Sequence, residues 1–442
     1  MRVLFGLMFF PRGGSSHVAR ALATELPTHG WDVTVLSGSL PDGHGDAREF
    51  YSGLELETID FSPGGAPMHP SYEDRPDAPD PCFAQVDDEA YRDHVAHWSE
   101  ALERAGAASA DVLHLHHLTP LNEAAGRVAP DVPVVGHLHG TELLMLERIA
   151  AGAPASWAYA DAWAERMRRW ASACERLIML SQSQVGRAVE LLGVDRDACV
   201  VVSNGFDAER FRPAEVDREA FWRRQLVEHP RGWAPGEPAG SVAYDDDAIA
   251  ALSKAVILIA VGRFTEVKRL TLLIEAFVQA RRRVSHPAAL VLIGGHPGEW
   301  EGEHPLETVE RTGAQDVFLA GWHDHDALPE FLNAADAQVL ASVREQFGLV
   351  LVEGMACGLP PIAVDRFGPA EIVDRGATGW LVEPDDAAAL ADAIVQVVDD
   401  GGERARRGVA ARQAAAERWT WPALAGRVAG VLEQARTASL KP

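Results

Sequence analysis

The chain has 442 residues, of which 47% are hydrophobic and 24% charged, an ordinary globular composition with room for two or three domains and no repeat or low-complexity tract. Its 40 Lys and Arg against 65 Asp and Glu leave a net charge of −25. That balance excludes a nucleic-acid backbone or an anionic membrane surface as the main partner, and any bound anion must be held by a local cluster of cations.

Cys82, Cys174, Cys199 and Cys357 lie far apart, form no CxxC and have no His at zinc spacing, so neither a disulfide framework nor a structural metal is expected and a reducing cytoplasm fits. The opening MRVLFGLMFFPRGG is too short an apolar run for a membrane span and lacks a small-residue cleavage site. It reads as a first buried strand, with no stable membrane insertion.

Residues Arg2 to Phe9 are near-continuously apolar, as in a strand covered on both faces, and Val18, Ala21, Leu22 and Leu26 then recur at helical spacing. Further strands are expected at Trp31 to Leu36, Asp111 to Leu115, Val132 to His137, Leu177 to Leu180 and Cys199 to Val202, with helices such as Tyr91 to Ala105 and Ala158 to Ala173 between them. Alternating units of this kind make a parallel, doubly wound sheet. The stretch Ser37 to Pro81 exceeds what such a fold needs and reads as a functional loop. From about Asp217 to Asp247 charges, Pro and Gly mix without apolar periodicity, as in a linker or insertion.

A second series then begins with strands at Ala255 to Val261, Ala289 to Ile293, Val317 to Leu319, Ala337 to Leu340 and Pro361 to Val364, and helices near Thr271 to Arg282 and Gly348 to Met355. Ala-rich amphipathic helices close the chain. The division expected is an N-terminal Rossmann-like domain over 1–205, a hinge plus insertion over 206–253, a C-terminal Rossmann-like domain over 254–421 and a terminal helix over 422–442 that packs back toward the first domain. Ligands of such sheets bind beyond the C-terminal strand ends, so an interdomain active site is expected.

The turn containing Gly13 and Gly14 follows a strand and opens a helix, which suits a phosphate cradle as well as a plain turn. Arg263 and Lys268 leave the loop after another buried strand, where two cations could converge on a diphosphate or simply form a solvated basic turn. Glu345 and Glu353 bracket a helix start. Glu345 with the amides of Phe347, Gly348 and Leu349 suits a polar ligand, and Glu353 suits two ribose hydroxyls, although unrelated carboxylates also occur at this spacing.

These segments together resemble one family. EQFGLVLVEGMACGLPPIA resembles the E-x7-E signature of the retaining glycosyltransferases of family 4, which have the GT-B fold. VVSNGFDAERFRP, VGRFTEVKR and FGPAEIVDRGATGWLVEPDD resemble the hinge, the phosphate loop and the G-x-x-EIV run of the same family, in the same order. The resemblance implies an α/β GT-B enzyme in which Arg263 and Lys268 bind the donor diphosphate, Glu353 the ribose and Glu345 a sugar hydroxyl. It also implies that the Gly13-Gly14 turn contacts the diphosphate and that His139 lies over the donor sugar. Arg269 stands where the family usually has Gly, and Phe206 where it often has Val.

The implied function is transfer of a sugar, with retention, from a nucleotide diphosphate sugar to a small acceptor; UDP is the expected nucleotide, with GDP and ADP as alternatives. No cofactor or metal is expected, because strand-end histidines such as His114, His116, His117, His137 and His139 beside a phosphate site need no ion. Acids at Glu73, Asp74, Asp77, Asp80, Glu142 and Glu147 among Tyr72 and Trp157 suggest a cationic natural-product or thiol intermediate as acceptor. A homodimer is compatible with the sequence. The alternatives are an epimerase or phosphorylase-like enzyme of the same architecture, or a non-catalytic nucleotide-sugar-binding protein.

Overall fold

A computed structural model of the chain describes residues 1–11, 13–41, 45–74 and 80–438. It divides into two compact units, Met1–Asn204 with Trp421–Pro442, and Gly205–Thr420.

The first unit is built on strands β1 (Arg2–Leu7), β2 (Asp32–Ser39), β3 (Glu55–Asp60), β4 (Val112–His116), β5 (Val134–His137), β6 (Arg176–Met179) and β7 (Cys199–Val201), in the order β3-β2-β1-β4-β5-β6-β7. Every pairing is parallel; β1 sets Val3 against Val33 on one side and Val112 on the other. Because neighbouring side chains alternate faces, the apolar run of β1 feeds two cores. Leu4 packs with Leu113, Leu177, Trp98 and Trp163 on one face. Val3 and Phe5 pack with Val112, Val135, Ile178 and, from the chain's last helix, Leu424, Val428 and Leu432 on the other.

The second unit repeats the plan with β8 (Val256–Val261), β9 (Ala288–Ile293), β10 (Val317–Gly321), β11 (Ala337–Leu340), β12 (Pro361–Val364) and β13 (Trp380–Val382), in the order β10-β9-β8-β11-β12-β13. In each sheet the order reverses beside the first strand, between β1 and β4 and between β8 and β11. The loops leaving those two strands diverge to opposite faces and open the crevice in which ligands of doubly wound sheets bind.

Three sequence readings are corrected. Glu55–Asp60 is a strand inside the stretch taken as one long loop, and as the sheet edge it buries only Ile59 well, so its apolar pattern is weak. β13 was missed because it has three residues. The supposed insertion is ordered structure of the second unit: it holds the helix Arg218–Arg223 and the helix Asp246–Leu252, and buries Trp222 and Trp233 completely. Its core contacts are scattered indoles instead of a periodic stripe. Among the described residues no helix is long and apolar enough to cross a membrane, and the four cysteines are free.

Leu432 is fully buried although it lies near the chain end. Leu432→Ala should lower the stability of the first unit by about 2–5 kcal/mol, read as a lower urea midpoint for its unfolding. A loss below about 1 kcal/mol would mean that the last helix is not part of that core.

Candidate active site

In the second unit, β8 delivers Arg263 to the crevice edge. Arg263 is exposed and makes no ion pair among the described residues. The 3-10 turn Glu266–Lys268 then brings Lys268 back toward β11, where its ammonium pairs with the Glu345 carboxylate; both side chains are largely buried, at 21% and 16% exposure. Glu345 precedes the helix Leu349–Ala356, which the chain enters through Gly348 at φ +100, a left-handed conformation that a side chain would strain. This entry turns the helix N-terminus, with first-turn amides lacking intrahelical acceptors, toward the β11 strand end.

One turn into that helix Glu353 is buried, with 2% exposure. Burial pushes its carboxyl above the usual range. Its Oε1 lies 2.6 Å from Nε2 of His325, which comes from the turn after β10. The hydrogen bond to Glu353 raises the His325 pKa in turn. Nothing in the sequence pattern singles out His325.

Arg269, the departure from the resembled loop, has φ +54. That explains why Gly suits the position: a non-glycine residue is strained there by about 1–3 kcal/mol. The arginine partly compensates through Asp385 Oδ1 at 2.6 Å and the Glu266 carbonyl at 2.9 Å, so its charge is committed locally.

In the first unit, Gly13 and Gly14 open the helix Gly14–Glu25, with nothing within 4 Å of where a Cβ would stand on either. Arg12 of the same turn lies outside the described residues, as does Asp77 of the expected acceptor segment. The turn borders a cavity of about 340 Å³ also lined by Tyr72, His117 and His139. His139 Nε2 lies 3.0 Å from His116 Nδ1, and His114 Nε2 lies 3.2 Å from His137 Nδ1. The ring pairs stack, 10° from parallel between His137 and His139.

The stack sits in the protein interior, where ionisation is costly. Burial pushes His114 down to about 3 and holds His116, His137 and His139 well below the usual imidazole range, the last three further opposed by their histidine neighbours. One nitrogen from each of His114, His116 and His137 lies within 4.8 Å of the others, so these three are the residues that could take up a metal ion, although no carboxylate stands among them.

His117 and Glu142 were missed as a unit. His117 adopts φ +69, and its Nδ1 lies 2.5 Å from Glu142 Oε1. Glu142 is fully buried and also accepts from the Gly140 amide at 2.9 Å. Gly140, at φ +97, permits that reversal. Part of the expected acceptor segment is engaged within the unit, while Glu73 stays exposed at the cavity. Glu142 is committed to His117, the Tyr72 hydroxyl donates to the Leu118 carbonyl at 2.7 Å, and Asp80 and Trp157 are buried. Trp163 and Trp170 are core as well.

The description "Glycosyl transferases group 1" matches residues 245–414, and "Glycosyltransferase Family 4" matches 12–210. The chain is 24% identical over 422 residues to the N-acetyl-alpha-D-glucosaminyl L-malate synthase of Bacillus anthracis, covering 92% of each. It is 32% identical over 241 residues to a D-inositol 3-phosphate glycosyltransferase of Nocardia farcinica, covering 54% of this chain and 48% of that one. Among solved structures, HepE of Anabaena in complex with UDP and glucose superposes with a TM-score of 0.68 at 19% identity, covering 98% of this chain and 99% of that one. Sucrose-phosphate synthase of Thermosynechococcus elongatus gives 0.70 at 18% identity, covering 99% of each.

The histidine stack fixes a pH dependence. Its imidazoles titrate lower in the folded chain than the unfolded value near 6.5, so the unfolded state binds more protons below that pH. Stability is therefore full above pH 6.5 and is lost as pH falls toward 3, by up to about 1.4 kcal/mol per pH unit for each buried imidazole. Urea unfolding at pH 7, 6 and 5 should show this slope, and His114→Asn should flatten it. Equal slopes in both proteins would contradict the neutral stack.

Proposed function

Because the chain belongs to the group 1 and family 4 glycosyltransferases, we propose that it moves a sugar from a nucleoside diphosphate sugar to a small polar acceptor, with retention of configuration and without a metal. The observation that carries this reading is the set of groups after β8 and β11: Arg263 exposed and without an ion pair among the described residues, Lys268 paired with Glu345, and Glu353 buried in the helix that follows.

The chemical difficulty of the reaction is the departing diphosphate. Negative charge grows on its oxygens as the glycosidic bond stretches, and Arg263, Lys268 and the amides of Phe347, Gly348 and Leu349 are preorganised donors for it. Glu345 takes a sugar hydroxyl and Glu353 the ribose diol. In the first unit the Gly13-Gly14 turn is assigned to the diphosphate and His139 to the donor sugar. The acceptor attacks from the leaving-group side, and the departing phosphate takes its proton. UDP is the expected nucleotide, supported by the UDP of the HepE structure. The acceptor is a small polar molecule, cationic where it meets the exposed Glu73 at the cavity of the first unit, since Glu142 and Tyr72 are engaged internally.

A thermal-shift panel of UDP, GDP, ADP and TDP tests the donor, since a ligand at 100 times its dissociation constant adds about 2.7 kcal/mol. No response to any of them would overturn the reading. With the responding nucleotide sugar, Arg263→Ala and Lys268→Ala should each cost about 3 kcal/mol of transition-state stabilisation, roughly a hundredfold in turnover. Near wild-type turnover in both would remove the diphosphate assignment. Activity should persist in EDTA; loss restored by Mg²⁺ would contradict the metal-free mechanism.

A further inference from the structure

Glu353 presents an electrostatic problem. A carboxylate accepts hydrogen bonds at both oxygens, whereas a protonated carboxyl commits one oxygen to donation, so a vicinal diol is held best by the anion. Yet the group is buried at 2% exposure, and burial favours the neutral acid. No Lys or Arg among the described residues is hydrogen-bonded to it. What stands against it is His325, whose ring is anchored beside Phe211 at 5.2 Å and remains 45% exposed on its outer side.

We infer that His325 is a positioning residue for the nucleotide: its Nε2, 2.6 Å from Glu353 Oε1, keeps the buried carboxylate anionic and oriented for the ribose diol. The inference rests on the reading of Glu353 as the ribose-binding residue. Arg210 also favours the Glu353 anion, but only through space and less than His325 does. Arg210 is ion-paired with Asp326 at the surface. The Cys357 thiol, one turn beyond Glu353, is pushed up to about 12 by burial and stays neutral. Asp326, next to His325, favours the protonated imidazole, and Arg210 opposes it. With His325 lost, the carboxylate loses its donor, burial acts against its charge unopposed by the imidazole, and the ribose diol loses an oriented acceptor.

The test uses UDP, GDP and ADP with their 2′-deoxy counterparts, titrated calorimetrically into the wild type, His325→Leu and His325→Gln at pH 6.5, 7.5 and 8.5. The ratio of ribose to deoxyribose affinity cancels the ionisation of the nucleotide phosphates. Wild type should prefer the ribonucleotide by about tenfold at each pH, the worth of one hydrogen bond to a charged acceptor. His325→Leu should reduce the preference to about twofold at pH 6.5 and regain part of it as pH rises and Glu353 ionises. His325→Gln, which retains a donor, should fall between. The inference is overturned if His325→Leu keeps the wild-type ratio at all pH values, loses it equally at all of them, or binds the ribonucleotide more tightly. Absence of any nucleotide binding by the wild type would instead sink the glycosyltransferase donor reading itself. Binding without ribose preference would remove the role of Glu353.

Discussion

An acidic protein that is to hold a diphosphate must gather cations against its own field, and a largely buried cation among them needs a counter-charge. In this chain of net charge −25 the requirement is met inside the second unit, where Lys268 is paired with Glu345. Both residues are strand-end groups placed by the same feature, the reversal of strand order between β8 and β11. In the proposed reaction the donor replaces each partner for the other: phosphate oxygens take the ammonium, and a sugar hydroxyl takes the carboxylate. Buried pairs of this kind contribute little net stability, because desolvation offsets attraction, so the exchange need not cost the fold much.

The first unit solves the opposite problem. Its strand ends carry imidazoles, and the interior keeps them neutral. Neutral rings can accept or donate hydrogen bonds to a sugar without adding charge beside a departing anion. His117 differs in its partner, Glu142, which accepts from Nδ1 and leaves Nε2 buried without a hydrogen bond among the described residues.

Much of this was legible in the sequence because parallel strands covered on both faces are written as continuous apolar runs. AVILIAV and ALVLI became β8 and β9 with few changes at their ends. The strands that escaped, Glu55–Asp60 and Trp380–Val382, are at sheet edges or too short for a pattern. The segment 217–247 hid its indoles among charges because helices broken by Pro and Gly bury single side chains, not stripes. Among site residues, those with a family motif were named in advance. His325 and the pairing of His117 with Glu142 were not, because each joins residues 28 and 25 positions apart that only the fold brings together. That Glu142 already has a partner was hidden for the same reason: sequence shows charge but not what holds it.

We propose that the Lys268–Glu345 pair marks the diphosphate site. The most direct measurement is a crystal structure of the chain with bound UDP. That structure should show diphosphate oxygens within hydrogen-bond distance of Lys268 and Arg263, Glu345 released from the ammonium, and the ribose on Glu353. UDP bound elsewhere, with the Lys268–Glu345 pair intact, would contradict it.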